Sequence, residues 1–213
     1  LLASSARVVA VEKDDRMIPL LSDKFALEIQ NKKLTLIHGD IVELTEKNML
    51  KLPTDYKLVA NIPYYITGYI LRTFLEATHK PVCMILMVQK EVADRIVARD
   101  KKESILSIAV KAYGVPRVVK KVPARYFTPA PNVDSAVLAI ENISGKNFLG
   151  MISEKTFFEI LKTGFAHKRK KLAGNLKGLL GEQVSTQLEQ AGIHKDARAE
   201  DIPLEQWLLL SKM

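Results

Sequence analysis

The sequence predicts an α/β fold: an open, largely parallel sheet covered by helices, followed by a small all-helical domain. Three observations predict it. Short apolar runs at 7–12, 34–38, 57–60 and 82–88 alternate with stretches whose apolar residues recur at helical spacing, the pattern of βα units in a sheet buried on both faces. Two further runs, VPRVVKKVP and DSAVLAIEN, follow one another with only a turn-rich segment between them, as strands of an antiparallel edge would. From residue 153 onward the text is helical throughout.

In order, RVVAVE (7–12) is a short buried strand that ends in an acid, and 14–30 follows as one helix with Pro19 in its first turn. LTLIH (34–38) is the second strand, stopped by Gly39-Asp40, and a polar stretch without a predicted element leads to the strand KLVA (57–60) and the turn NIPYY. Residues 68–78 read as a helix, VCMILMV (82–88) as a strand and 89–99 as a helix. SILSIAVKAYG reads as a helix, with a strand as the rival reading. Residues 142–152 form a linker. Four amphipathic segments then make the small domain, with Trp207 in its core. This divides the chain into residues 1–145 and 146–213. Repeats and low-complexity tracts are not evident.

Composition narrows the function classes. The 213 residues are 47% hydrophobic and carry a net charge of +8, so a packed core is expected and a polyanionic partner, nucleic acid before a membrane surface, is favoured. Cys83 is the single cysteine, which excludes a disulfide framework or thiolate cluster within the chain and reads as inert packing. No apolar run approaches a membrane span, and the opening LLASSARVVAVE lacks the basic region and cleavage site of a signal peptide. A reducing cytoplasm is the expected compartment. His38, His79, His167 and His194 show no ligand spacing, so no metal is assigned.

Ligands of open parallel sheets bind outside the carboxyl ends of the strands. Glu12 ends the first strand, Asp40 the second and Asn61-Ile62-Pro63-Tyr64 the third. An acid in the first position can accept hydrogen bonds from two ribose hydroxyls, and one in the second can accept from an exocyclic amine. Each acid alone reads better as a cap or turn residue, and Asp14 and Asp15 in particular read as caps and first-turn charges. The third strand shifts the balance. A planar aromatic amine is a poor nucleophile because its lone pair is delocalised. Two oxygens that accept both its N–H bonds hold it still and support positive charge as a methyl arrives. The Asn61 side chain supplies one oxygen and the Ile62 carbonyl the other. Pro63 fixes the aim of that carbonyl, and Tyr64 offers a face for the base.

These motifs resemble, in order and over essentially the whole chain, those of the S-adenosylmethionine-dependent rRNA adenine N6-dimethyltransferases. That family comprises the small-subunit dimethyladenosine transferases, and the macrolide-resistance rRNA methyltransferases are related to it. VVAVE, HGD, ANIPYYIT, MVQKEVADRI, RYFTPAPNVDSAV and FAHKRKKLAGNL carry the resemblance. It implies a Rossmann-like methyltransferase sheet with a helical C-terminal domain. S-adenosyl-L-methionine would be held by Glu12, Asp40, Ile41 and Asn61. Catalysis would rest on Asn61, Ile62, Pro63 and Tyr64, with Phe127 packed against the flipped base. The family's RNA-facing N-terminal arm, first strand and Gly-rich loop have no counterpart here. A first βα unit of about 30 residues is therefore expected to be missing, and this stretch alone is expected to bind cofactor weakly or be inactive.

Residues 162–177 hold six Lys or Arg and no acid, with Lys168, Arg169, Lys170 and Lys171 in one run, and residues 90–126 hold ten against four acids. Such charge suits phosphate contact. The HKRKK run is read as an RNA contact that opens the small domain as a helix. For KKVPARY a solvated face is an equal reading. Tyr65 reads as core beside the pocket. The expected activity is dimethylation of adenine N6 in 16S-type rRNA of the small ribosomal subunit during ribosome biogenesis, by a monomer with no membrane partner. The rival readings are a large-subunit methyltransferase of the macrolide-resistance type and a non-catalytic nucleic-acid binder. A DNA adenine methyltransferase is disfavoured because no target-recognition domain is visible.

Overall fold

The computed structural model describes residues 1–4 and 7–213; Ser5 and Ala6, within the opening LLASSAR segment, lie outside the described residues. The chain divides into two compact units, Leu1–Leu52 and Pro53–Met213.

In the first unit, β1 (Val8–Glu12) and β2 (Leu34–His38) pair in parallel, with Val8 opposite Leu34 and Glu12 opposite His38. The helix expected over 14–30 is two helices, α1 (Met17–Lys24) and α2 (Ala26–Gln30). The chain leaves helical geometry at Phe25 (φ −115°, ψ 27°). Pro19 sits in the first turn of α1 as expected, since its missing N–H costs nothing there. Asp14 does not cap α1, whose N-cap position is Arg16. Instead Asp14 accepts the Arg16 backbone N–H at 2.9 Å and forks onto its guanidinium, the shorter contact being 2.6 Å. That pairing with Arg16 lowers its carboxyl to a pKa of about 2. Asp15 pairs with His38 Nε2 at 2.6 Å. A third helix, α3 (Ile41–Glu46), occupies the start of the stretch without a predicted element. Six residues are too few to show an amphipathic period, although Asp40 at its N-cap was a legible signal.

In the second unit a four-stranded sheet has the order β3-β4-β6-β5. β3 (Lys57–Asn61) and β4 (Cys83–Gln89) are parallel. β6 (Ser135–Glu141) runs antiparallel to both β4 and β5 (Val115–Val122), the antiparallel edge read from the sequence. α4 (Thr67–Glu76) connects β3 to β4, while α5 (Lys90–Ile96) and α6 (Ile105–Lys111) connect β4 to β5. Helix wins over strand for SILSIAVKAYG because Ser104 and Ser107 form a reciprocal capping box. The core centres on the inner strands: Met84, Leu86, Val88, Ala136, Leu138 and Ile140 are fully buried. β3 departs from the expectation of strands covered on both faces. Among the described residues it pairs with β4 alone, its burial alternates, and Val59 is 45% exposed.

α7 (Glu154–Gly164), α8 (Leu172–Leu180), α9 (Val184–Gln190) and α10 (Leu204–Leu210) belong to the same unit. Phe157, Leu161, Leu172, Leu176 and Trp207 are fully buried among them. The Trp207 indole N–H, which must find an acceptor when buried, donates to the Ile202 carbonyl at 3.1 Å, and its ring stacks on Phe165 at 5.6 Å between centroids. The aromatic cluster of Tyr113, Phe148, Phe157 and Phe158, with the Tyr113 hydroxyl bonded to Glu154, joins α7 to the end of α6. Among the described residues no helix is long and apolar enough to cross a membrane.

Candidate functional site

The carboxyl end of β3 is a turn fixed at every residue. Asn61, the last residue of the strand, lies opposite Met87 of β4. The Ile62 side chain is 7% exposed and plugs into the core. Pro63 holds φ −56°, ψ 135°, the conformation its ring enforces. A single 3₁₀ turn over Tyr64–Ile66 follows, closed by the Ile66 N–H to the Pro63 carbonyl at 3.1 Å. The Thr67 hydroxyl, at the start of α4, donates back to the Tyr64 carbonyl at 3.0 Å. Within this braced turn two oxygens are left over. The exposed Asn61 carboxamide and the Ile62 carbonyl accept no hydrogen bond among the described residues.

Tyr64 is half-buried and its hydroxyl lies 2.6 Å from Ser135 Oγ. Ser135 is fully buried at the start of β6, opposite Gln89 of β4 and Val122 of β5. The loop that bears Phe127 ends at this serine. It leaves β5 through Pro123, makes a single 3₁₀ turn over Ala124–Tyr126, and passes the half-buried, extended Phe127 and a cis Thr128–Pro129 bond. Asp134 ties its two ends, its side chain accepting the Ala124 N–H at 3.0 Å, and anchors it to α5, its carbonyl accepting the Lys90 N–H at 2.9 Å. Asn61, Ile62, Pro63, Tyr64 and Phe127 therefore stand on two loops at one end of the sheet, joined by the Tyr64–Ser135 bond. Asp134 and Ser135 lie at the end of the RYFTPAPNVDSAV motif, whose resemblance implies a role only for Phe127. Their only sequence signal is their place at the start of a strand.

Tyr65 is not core: it is 84% exposed. A 3₁₀ turn spaces successive side chains by about 120°, so with Tyr64 and Ile66 turned inward the residue between them faces solvent.

In the first unit, Glu12 and Asp40 stand at adjacent strand ends, where the Gly39 N–H donates to the Glu12 carbonyl at 2.9 Å. One Glu12 carboxylate oxygen accepts the Asp14 N–H at 2.9 Å, and the other makes no hydrogen bond among the described residues. Asp40 accepts from the Lys13 ammonium at 2.7 Å and the Val42 N–H at 2.8 Å. These two donors, Lys13 first, hold its pKa below the usual carboxylate value, so it is an ionised acceptor. Lys13 is 71% exposed. Ile41, half-buried at the start of α3, adds an apolar wall. Two acidic side chains beside an aliphatic one fit the ribose hydroxyls and purine edge of a nucleoside cofactor.

The basic run is not the start of a helix. Ala166–Lys170 form turns between α7 and α8, and α8 begins only at Leu172. Side-chain repulsion along HKRKK disfavours helix there. Lys168, Arg169, Lys170 and Lys171 are all exposed, and the first three line a surface hollow of about 540 Å³. Lys171 pairs with Asp196 at 2.5 Å. A larger, mainly apolar groove of about 880 Å³ lies between α4, α6 and α7, lined by none of the residues assigned above.

Comparison with known proteins finds relatives along the whole chain. The family described as ribosomal RNA adenine dimethylase matches residues 1–213. A ribosomal RNA small subunit methyltransferase A of Dehalococcoides mccartyi is 39% identical over 213 residues, 99% of this chain and 72% of that protein. Its namesake in a Synechocystis species is 37% identical over 225 residues, 100% of this chain and 78% of the relative. Two solved structures share the fold. The 23S rRNA methyltransferase ErmE matches with TM-score 0.75 at 22% identity over 98% of this chain and 82% of its own. A dimethyladenosine transferase from Plasmodium falciparum matches with TM-score 0.77 at 23% identity over 96% and 80%. With a match along its entire length and relatives well above 30% identity, the chain belongs to the ribosomal RNA adenine dimethylase family.

Proposed function

We propose that the protein transfers two methyl groups in succession from S-adenosyl-L-methionine to N6 of adenines in small-subunit rRNA, acting as a cytoplasmic monomer in ribosome biogenesis. The observation that carries this reading is the pair of unused oxygens on a braced turn, the Asn61 carboxamide and the Ile62 carbonyl. S-adenosyl-L-methionine, when bound, supplies an electrophilic methyl on a sulfonium. Glu12 and Asp40 hold its ribose and adenine, with Ile41 against the ring. The target adenine leaves its stack. The Asn61 side-chain oxygen and the Ile62 carbonyl accept its two N6–H bonds, which fixes the amine and stabilises positive charge as the N–C bond forms. The proton leaves only after the nitrogen is cationic, so no strong base is needed. Tyr64 and Phe127 wall the base by stacking, worth roughly 1–3 kcal/mol per ring. The small-subunit substrate rests on the names of the relatives, and residues 146–213, with Lys168 to Lys171, are assigned to RNA contact.

The test gives labelled cofactor to the full-length protein with unmethylated small subunits, large subunits and duplex DNA. Label on small subunits alone, as dimethyladenosine, is expected. Label on large subunits would favour the macrolide-resistance type, and no label anywhere would favour a non-catalytic binder. Asn61→Ala should abolish transfer with cofactor affinity nearly intact; an active variant removes Asn61 from the mechanism.

A further inference from the structure

Two tyrosines at the site have no role in the chemistry above. Tyr65 is 84% exposed and Tyr126 is 71% exposed. Every other Phe, Tyr and Trp among the described residues is at least half-buried or fully buried. A single exposed tyrosine is ordinary. Here both of the chain's exposed aromatics fall on the two loops that the Tyr64–Ser135 bond joins.

Their placement is parallel. Each lies in a one-turn 3₁₀ helix, and each neighbours a residue assigned to the base pocket: Tyr65 follows Tyr64, and Tyr126 precedes Phe127. In each pair burial divides the two: Tyr64 and Phe127 are half-buried, whereas Tyr65 and Tyr126 face solvent. The outward surface is where the RNA strand on either side of an everted base must pass. The Arg125 guanidinium lies 5.4 Å from the centroid of the Tyr126 ring, and the exposed Lys120 and Lys121 precede it on β5. An aromatic face backed by cations suits a nucleotide, whose base stacks and whose phosphate seeks positive charge.

We propose that Tyr65 and Tyr126 are stacking platforms for the nucleotides that flank the target adenine. Eversion of a base strips both neighbours of a stacking partner. A tyrosine ring laid against each neighbour restores that partner and lowers the cost of holding the adenine out. The inference rests on the RNA methyl-transfer reading and adds a subsite to it.

The test compares wild type with Tyr65→Leu, Tyr126→Leu, Tyr65→Phe and Tyr126→Phe in the full-length protein. Binding to unmethylated small subunits, methyl transfer, cofactor affinity and melting temperature are measured. Leu keeps apolar bulk but has no π-face, whereas Phe keeps the ring and loses only the hydroxyl. Each Leu variant is expected to weaken particle binding and raise KM for the particles about fivefold to a hundredfold, with cofactor affinity and melting unchanged. Each Phe variant should stay close to wild type. Leu variants that bind like wild type overturn the proposal, as do Phe variants that fall as far as Leu. Binding is read without turnover. A wild type that binds particles but transfers nothing would therefore sink the function while the binding series still judges the stacking.

Discussion

Ser135 holds the two loops of the site together through one side chain. Its Oγ lies 2.6 Å from the hydroxyl of the half-buried Tyr64, and Ser135 itself is fully buried. Ser135→Ala leaves the phenol without its partner, at a cost of roughly 1–2 kcal/mol for an unsatisfied group. It also frees the ring on which the target base would rest. We expect a lower melting temperature and a kcat reduced roughly tenfold, within the range that ångström-scale misplacement produces. Adding Tyr64→Phe removes the orphaned hydroxyl, so the double variant should melt above Ser135→Ala; additive losses would show that the bond couples nothing. The turn bearing Asn61 and Tyr64 was legible in the sequence because the proposed chemistry is confined to four consecutive residues. Ser135 was not, because its partner lies 71 residues away and only the fold brings them together.

Among the elements, legibility followed length and period. β1 to β4, the antiparallel pair β5 and β6, and the helices after residue 153 all lie where apolar spacing predicted them. The misses were local. Nothing in the spacing of 14–30 marks the break at Phe25, α3 is one and a half turns long, and the basic run reads as helix until its own charge is weighed. Packing between α7, α8 and α10 turns on a position whose reason is invisible in sequence. Gly164 ends α7 with Trp207 and Leu172 against it, and a methyl there would stand 2.5 Å from the Trp207 ring and 2.9 Å from Leu172. Trp207 is fully buried and pinned by its indole N–H, so it has little room to yield. Ala is the better helix former by about 1 kcal/mol in a helix interior, but less at a last residue, and overpacking costs roughly 1–3 kcal/mol. The steric cost wins. Gly164→Ala should lower the melting temperature by about 2–6 °C, read by calorimetry. An unchanged or higher value would mean that the tryptophan shifts freely.

At the scale of the molecule, charge is divided unevenly. Leu1–Leu52 holds eight Lys or Arg against eight Asp or Glu and is neutral, so the net +8 of the chain resides wholly in Pro53–Met213. That unit carries the proposed amine-orienting turn and the basic run, whereas the proposed cofactor acids lie in the neutral one. Such a division suits a protein that draws in a polyanion with one part and holds a small cationic cofactor with another. Within the basic unit not every cation is free for phosphate. Arg117 is taken by Glu141, Lys102 by Asp201 and Lys171 by Asp196. Lys168, Arg169 and Lys170 form no ion pair among the described residues and surround one hollow. Their contribution should therefore appear as counterion release. Each phosphate neutralised adds about 0.7–0.9 to the slope of log affinity against log salt. Changing Lys168, Arg169 and Lys170 to Gln should lower that slope by about 2–3 and weaken particle binding most at low salt. Cofactor affinity and melting should stay near wild type, because all three side chains are exposed. Lys171→Gln, which gives up a cation already paired to Asp196, should change the slope far less. Equal slopes for the triple variant and wild type would move the RNA contact elsewhere on the unit, with Lys120, Lys121 and Arg125 beside the site as the next group to neutralise.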